Sequence, residues 1–268
     1  MKKLISMILI LTMALVLFSS CADTKKDWEY IESKGTLKIG VTIFKPMNYT
    51  DDDGNWTGFE TEFAEKVTEK LGVKAEFVKI VWDKKVVELK SKAIDCIWNG
   101  MTVTNELKAE MDMSQSYMNN WQVAVIRKAD AEKYTTLESM DGAKTAAEAK
   151  SAGEKAIEAD EHLKKNYTSV DTQTKALIEV KSGTADIAIV DYVMAVSSVG
   201  DNTDYSDLMI VSNLKLSYEE YAIGFRKDSP VTLEKVNAAI NELIADGTLN
   251  KIAEKYGVAE QLISNQKG

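Results

Sequence analysis

The sequence predicts an α/β fold shaped as a two-lobed clamp, each lobe a mixed sheet flanked by helices, with two hinge crossings between them. Three observations predict it. Short apolar runs alternate with amphipathic stretches, which is the pattern of strands connected by covering helices. The alternation runs once from Leu37 to Trp98 and restarts after Gln122-Val123-Ala124-Val125-Ile126. Proline is confined to Pro46 and Pro230, and no low-complexity stretch separates the halves, so the two units are joined by ordered segments.

In order along the chain, Leu37-Lys38-Ile39-Gly40-Val41 reads as a strand, followed by a cleft-edge loop at Pro46-Met47-Asn48-Tyr49. Asp51-Asp52-Asp53-Gly54-Asn55 has turn chemistry. Asp51, Asp53, Asn55, Thr57 and Glu62 also fall at calcium-loop spacing, but Trp56 stands where the sharp turn of such a loop needs Gly. A solvated hairpin turn is the reading adopted. Phe59, Phe63, Val67 and Leu71 share one helical face, and Gly72 stops that helix. Ala75 to Ile80 is a strand, Lys84 to Lys92 a helix, and Ile94 to Trp98 a buried strand. In the second unit a strand is expected near Lys144 to Ala147, then a helix from Ala152 to about Lys165 and another ending at Ser182-Gly183. Ile187-Ala188-Ile189-Val190 is a strand ending at Asp191, and Tyr221-Ala222-Ile223-Gly224-Phe225 a crossing before two C-terminal helices. The lobes are expected as 29–124 with 216–268, and 125–215.

Residues 1–20 have the character of an export leader: Lys2 and Lys3, an apolar run from Leu4 to Phe18, then Ser19-Ser20 before Cys21. The run is shorter than the roughly 20 apolar residues of a comfortable membrane span. Residues 21–28 read as a short polar tether. Losing the leader removes two Lys and no acid, so the formal charge moves from -9 to -11. That surface argues against nucleic acid and anionic lipid headgroups as partners. Cys96 is then the one cysteine besides Cys21, so no intrachain disulfide is expected, and His162 stands without companions for a metal site. No metal and no cofactor are expected.

Residues Asp95 to Leu107, which include Trp98-Asn99-Gly100-Met101-Thr102-Val103-Thr104, are the most informative stretch. Gly at a strand end admits close backbone approach, Thr102 offers a compact hydroxyl, and Thr104 suits the N-cap of a following helix. With Gly54 to Phe59, Gly183 to Asp191, Tyr221 to Lys227 and Asp246 to Gly257, this stretch resembles the extracellular solute-binding proteins of polar amino-acid ABC importers (family 3 type) along essentially the whole mature chain. The resemblance implies a ligand held between the lobes and closure by hinge motion. By the same resemblance, Phe18-Ser19-Ser20-Cys21 approximates a lipoprotein processing site. Lipid on Cys21 would tether the protein outside the cytoplasmic membrane, its sole membrane attachment.

Carried over residue by residue, the resemblance makes Gly100 and Thr102 lining residues, Trp82 an aromatic against the ligand, and Phe44 a second one. Asp191 receives the ligand's α-amino group. Leu107 departs from the pattern, because it stands where the family carries the Arg that grips the α-carboxylate. An Arg fork makes paired, charge-assisted bonds that no neutral side chain reproduces. Glu148 brings a second departure, a negative charge where Gln or Lys is usual, while Ser151 keeps a hydroxyl nearby. Two acids, an aromatic and no Arg compose a pocket for a cation. The alternative has Glu148 turned outward or paired with Lys150, with Lys45 or Lys79 replacing the missing Arg.

The function read from these residues is capture of an amino-acid-sized solute and its delivery to ABC permease subunits, by a monomer, with a cationic amine lacking an α-carboxylate as ligand. The alternatives are an ordinary polar amino acid held by a substitute cation, an enzyme related to cyclohexadienyl dehydratases, or a sensor component. The enzyme reading is weakened by the missing Arg, since that chemistry acts on carboxylated substrates, and no nucleophile–His pair or phosphate loop supports another. The chain is therefore read as a binding protein rather than an enzyme.

Overall fold

The computed structural model describes residues 27–266. The expected leader, the Cys21 anchor and residues 21–26 of the tether lie outside them. The last two tether residues are corrected: Asp27 and Trp28 open helix α1 (Asp27–Lys34), where Trp28 and Ile31 are buried. Asp27 pairs with Arg226 at 2.6 Å, which ties this helix to the body.

Strand β1 (Thr36–Val41) leads to a small hairpin, β2 (Tyr49–Thr50) and β3 (Trp56–Thr57). Its turn is closed by the Asp51 carboxylate, which accepts from the Asp53 and Asn55 amides at 3.0 and 2.8 Å. Helix α2 (Phe59–Leu71) buries Phe59, Phe63 and Val67 and ends at Gly72 with φ 71°, a left-handed cap closing on the Thr68 and Glu69 carbonyls. Strand β4 (Lys74–Lys79), helix α3 (Lys85–Lys90), strand β5 (Cys96–Ile97), helix α4 (Asn105–Glu110) and strand β6 (Asp112–Met113) follow. Thr104 caps α4 as expected, its hydroxyl accepting from the Leu107 amide at 3.2 Å.

The second run comprises β7 (Met118–Arg127), β8 (Thr145–Glu148), α5 (Ala152–Ala159), β9 (Tyr167–Val170), α6 (Gln173–Ser182), β10 (Ile187–Asp191), α7 (Tyr192–Ser198), β11 (Leu208–Ile210) and β12 (Ser217–Tyr221). The helix expected to reach Lys165 stops at Ala159. Asp160 is the reason: its carboxylate accepts from the His162 and Leu163 amides at 2.9 and 3.0 Å, and buried Leu163 pins the turn that leads into β9. Strand β13 (Gly224–Phe225) and helices α8 (Pro230–Ala245) and α9 (Thr248–Lys255) return the chain to the first lobe.

Both sheets are mixed. The first has the order β4-β1-β5-β13-β6, with β1 parallel to β4 and β5, and β13 antiparallel to β5 and β6. The second has the order β11-β7-β10-β8-β9, with β12 also on β7. Strand β7 is paired along its whole length inside this sheet, by β12 near its start and by β10 and β11 further on. The sheets therefore move the lobe boundaries from 124/125 and 215/216 to the short segments 114–117 and 222–223. Those two crossings hold each other: the Ser114 amide donates to the Ile223 carbonyl at 2.9 Å, and Tyr117 to Tyr221 at 3.0 Å. Two paired extended segments with few residues each are the geometry of a hinge.

Candidate functional site

A cavity of about 330 Å³ lies between the lobes. From the first lobe it is bordered by Trp82, Lys85, Gly100, Met101, Thr102 and Leu107; from the second, by Glu148, Lys150, Ser151, Lys155, Gln173 and Asp191, among others. Seven of the eight expected ligand residues thus converge on one space. Phe44 does not border it and is a correction: its ring packs beneath Gly100, 2.4 Å from where a Cβ on that glycine would lie. Gly100 has φ +54° and leaves no room for a side chain, so glycine here serves the turn and the ring below it.

The Gly100 amide does not face the cavity. It donates to both oxygens of Glu60 at 2.9 Å, and Glu60 also accepts from Asn48 at 2.8 Å and from the Tyr117 hydroxyl. Glu60 is fully buried without a cationic partner among the described residues, and burial raises it to about 7 against the opposing pull of these donors. One carboxylate therefore fastens the Gly100 turn to α2 and to the first crossing.

Trp82 stands at the start of a single helical turn that runs into α3. The turn places Lys85, which is 4% exposed, with its ammonium 4.3 Å from the centroid of the Trp82 ring. That ammonium also donates to the carbonyls of Trp82 and Lys150 at 3.2 Å each, the second across the cleft. One face of Trp82 is therefore covered by a lysine of the chain itself. Burial lowers Lys85 to about 8, with Glu148 and Asp83 pulling the other way. Lys45 and Lys79, the expected substitute cations, are elsewhere: Lys45 pairs with Asp204 at 3.1 Å, and Lys79 is exposed on β4. Lys85 was legible as one helical turn before buried Leu89, on the face of α3 that must be covered.

The second lobe supplies four buried carboxylates, of which Glu154 in α5 accepts from the Lys150 amide at 2.8 Å, the Ser169 hydroxyl at 2.7 Å and the Tyr167 hydroxyl. Asp191, ending β10, accepts from Asn120 and Gln122 at 2.6 Å each and from Gln173. Glu219, on β12, accepts from Thr102 at 2.8 Å, from the same Asn120 and Gln122 amides at 3.2 Å, and from Ser217 at 2.7 Å. The two acids thus share both amides, and Thr102 spends its hydroxyl on this network. Glu148, ending β8, is 5% exposed, borders the cavity and makes no side-chain hydrogen bond or ion pair among the described residues. It is neither turned outward nor paired with Lys150. Burial raises Glu148 to about 8, with repulsion from Asp191 added, and raises Asp191 to about 7, with repulsion from Glu219 added. Ser151 caps α5, its hydroxyl accepting from the Glu154 amide at 3.1 Å. Leu107 packs beside the cluster that holds Met101 and Trp82.

Sequence reasoning missed Glu219, Asn120 and Gln122. Their signal was the alternation of polar side chains within β7 and β12, where Asn120 lies opposite Glu219 and Gln122 opposite Ser217 and Asp191. Chemically, this arrangement presents anionic acceptors and the buried ammonium of Lys85 around an apolar patch, with Lys150 and Lys155 also on the wall.

Residues 37–259 match the profile of the bacterial extracellular solute-binding proteins, family 3. The L-cystine-binding protein TcyJ of Escherichia coli (strain K12) is 30% identical over 232 residues, 84% of this chain and 84% of that protein. An ABC uptake transporter substrate-binding protein from Streptococcus pneumoniae, solved with bound histidine, superposes with a TM-score of 0.79 at 30% identity, over 87% of this chain and 96% of that one. The ancestral amino acid-binding protein AncCDT-1, a precursor of cyclohexadienyl dehydratase, superposes at 0.77 with 30% identity, over 86% and 99% of the two chains.

Proposed function

The chain belongs to the bacterial extracellular solute-binding proteins, family 3, and from that premise we propose that it captures an amino-acid-sized amine lacking an α-carboxylate and delivers it to an ABC permease. One observation carries the ligand class: Glu148 and Asp191 are buried and border the cleft, Glu219 is buried on the Asn120 and Gln122 amides it shares with Asp191, and none of the three is in an ion pair among the described residues. Buried charge without a partner is costly, and a bound ammonium supplies the partner. Leu107 agrees with this reading, because an α-carboxylate seated there would face an apolar side chain and a nearby acid.

A thermal-shift panel tests it, using protein unfolded and refolded to strip carried-over solute and pairing each amino acid with its decarboxylated amine. Binding raises the melting temperature by mass action. Stabilisation by amines and not by their parent amino acids is expected; the reverse pattern sinks the reading. One observation favours a second reading, namely Lys85 inside the cleft, whose ammonium offers itself to a carboxylate. In that case amino acids stabilise the protein and Lys85→Met abolishes the effect.

The protein works outside the cytoplasmic membrane, as a monomer without enzymatic activity, held by lipid on Cys21. Cys21→Ala is expected to move it from the membrane fraction to the medium or periplasm. A variant that stays membrane-bound removes the anchor.

A further inference from the structure

We propose that the cleft selects dications: amino-acid-sized solutes with two ammonium or guanidinium groups on a short aliphatic spacer. The inference rests on the amine reading above and narrows it. Its starting point is the order of strands across the second sheet. Glu148 ends β8, Asp191 ends the adjacent β10, β7 comes next, and Glu219 lies on β12 beyond it. With neighbouring strands about 4.8 Å apart, the backbone positions of this acidic row span about 14 Å.

The row is oriented but not neutralised. Every donor to Asp191 and Glu219 named above is a hydroxyl or an amide, which fixes an oxygen in place and brings no positive charge. Glu148 has no donor at all among the described residues, although it is almost wholly buried and borders the cavity. Of the three lysines on the cavity wall, Lys85, Lys150 and Lys155, the buried one is Lys85, and two of its three N–H bonds go to carbonyls. Lys155, also on the cavity wall, is held by Glu106 at 3.0 Å. Glu148 and Asp191 both border the cavity without an ion pair among the described residues, and a cation bound there favours the charged form of the carboxylate it meets, so a monocation serves one of the two and leaves the other without a partner. A second positive group on the same solute removes that penalty. Leu107 and Met101, on the opposite wall, offer apolar surface for the methylenes between two charges.

The test is titration calorimetry on the refolded protein with putrescine, cadaverine and agmatine against butylamine and pentylamine. The dications are expected to bind at least about tenfold tighter than monoamines of similar length, roughly 1.4 kcal/mol. In Glu148→Gln, which keeps the side chain's size, that advantage is expected to shrink. Equal affinities for monoamines and dications in the wild-type protein overturn the dication inference and leave the amine reading standing. Binding of no amine at millimolar concentration overturns both. The wild-type series decides the matter even if the variant fails to fold.

Discussion

Among single residues, Leu107 and Glu148, the two positions where the sequence departs from the carboxylate grip that the resemblance implies, both border the cavity. Lys85 was present in the sequence as well, but its importance arises only from the turn that folds it back over Trp82. Lys45 and Lys79 looked equally available on paper; β4 turns Lys79 outward, and Asp204 holds Lys45. The Leu107 position can be tested directly. Leaving a buried carboxylate unpaired costs on the order of 3–5 kcal/mol, two to four decades in affinity. Leu107→Arg is therefore expected to raise affinity for ordinary α-amino acids by about tenfold or more, since the wall beside Met101 must accommodate the longer side chain. Calorimetry with a panel of amino acids reads the change. If every affinity stays as it was, position 107 is not the carboxylate site.

At the scale of elements, strands and helices with strong periodicity were legible, and errors gathered where tertiary pairing decides the outcome. Helix α2 was readable from Phe59, Phe63 and Val67 with Gly72 behind them, because a one-sided apolar stripe and a left-handed cap are local signals. The end of α5 was not, since Asp160 stops it by capturing two amides and charged residues beyond it still favour a helix. The lobe boundaries were misread for a similar reason. Met118 to Arg127 is one continuous strand, and nothing within it reveals that its first residues pair with Ser217 to Tyr221. Glu60 shows how elements position the site: a polar residue in the first turn of α2 reaches the Gly100 amide and Tyr117 at once. The sequence displays it as an ordinary acid at a helix start. Its burial follows only when α2 packs against Trp98 and against Tyr117 of the first crossing.

At the scale of the whole molecule, the buried acids couple the cleft to global stability. Glu60 and Asp191 are raised to about 7 and Glu148 to about 8, with burial the largest cause in each case. A carboxyl whose folded value lies above its unfolded one binds its proton more tightly in the fold. Its contribution is therefore complete below the unfolded value, near pH 4, and is lost as pH rises through 7 to 8. Lys85 acts in the opposite sense. Lowered to about 8, it disfavours the fold while charged and relieves that cost as pH climbs from 8 toward its ordinary range. The charged neighbours that act on these groups are Glu148, Asp83, Lys155 and Glu154 around Lys85, Asp191 and Lys85 around Glu148, and Glu219 around Asp191. Paired carboxylates such as Asp186, held low by hydrogen bonds from the Lys144 amide and Arg127, weaken the fold only under acid conditions. The unliganded protein is thus expected to be most stable between about pH 5 and 6 and to melt several degrees lower near pH 8. Glu148→Gln, which has no proton to lose there, is expected to show a shallower decline. A melting temperature that is flat from pH 5.5 to 8.5, or a variant with the wild-type slope, would mean that these acids are solvated well enough to ionise freely. The cleft would then have no unmet charge for a cationic solute to satisfy.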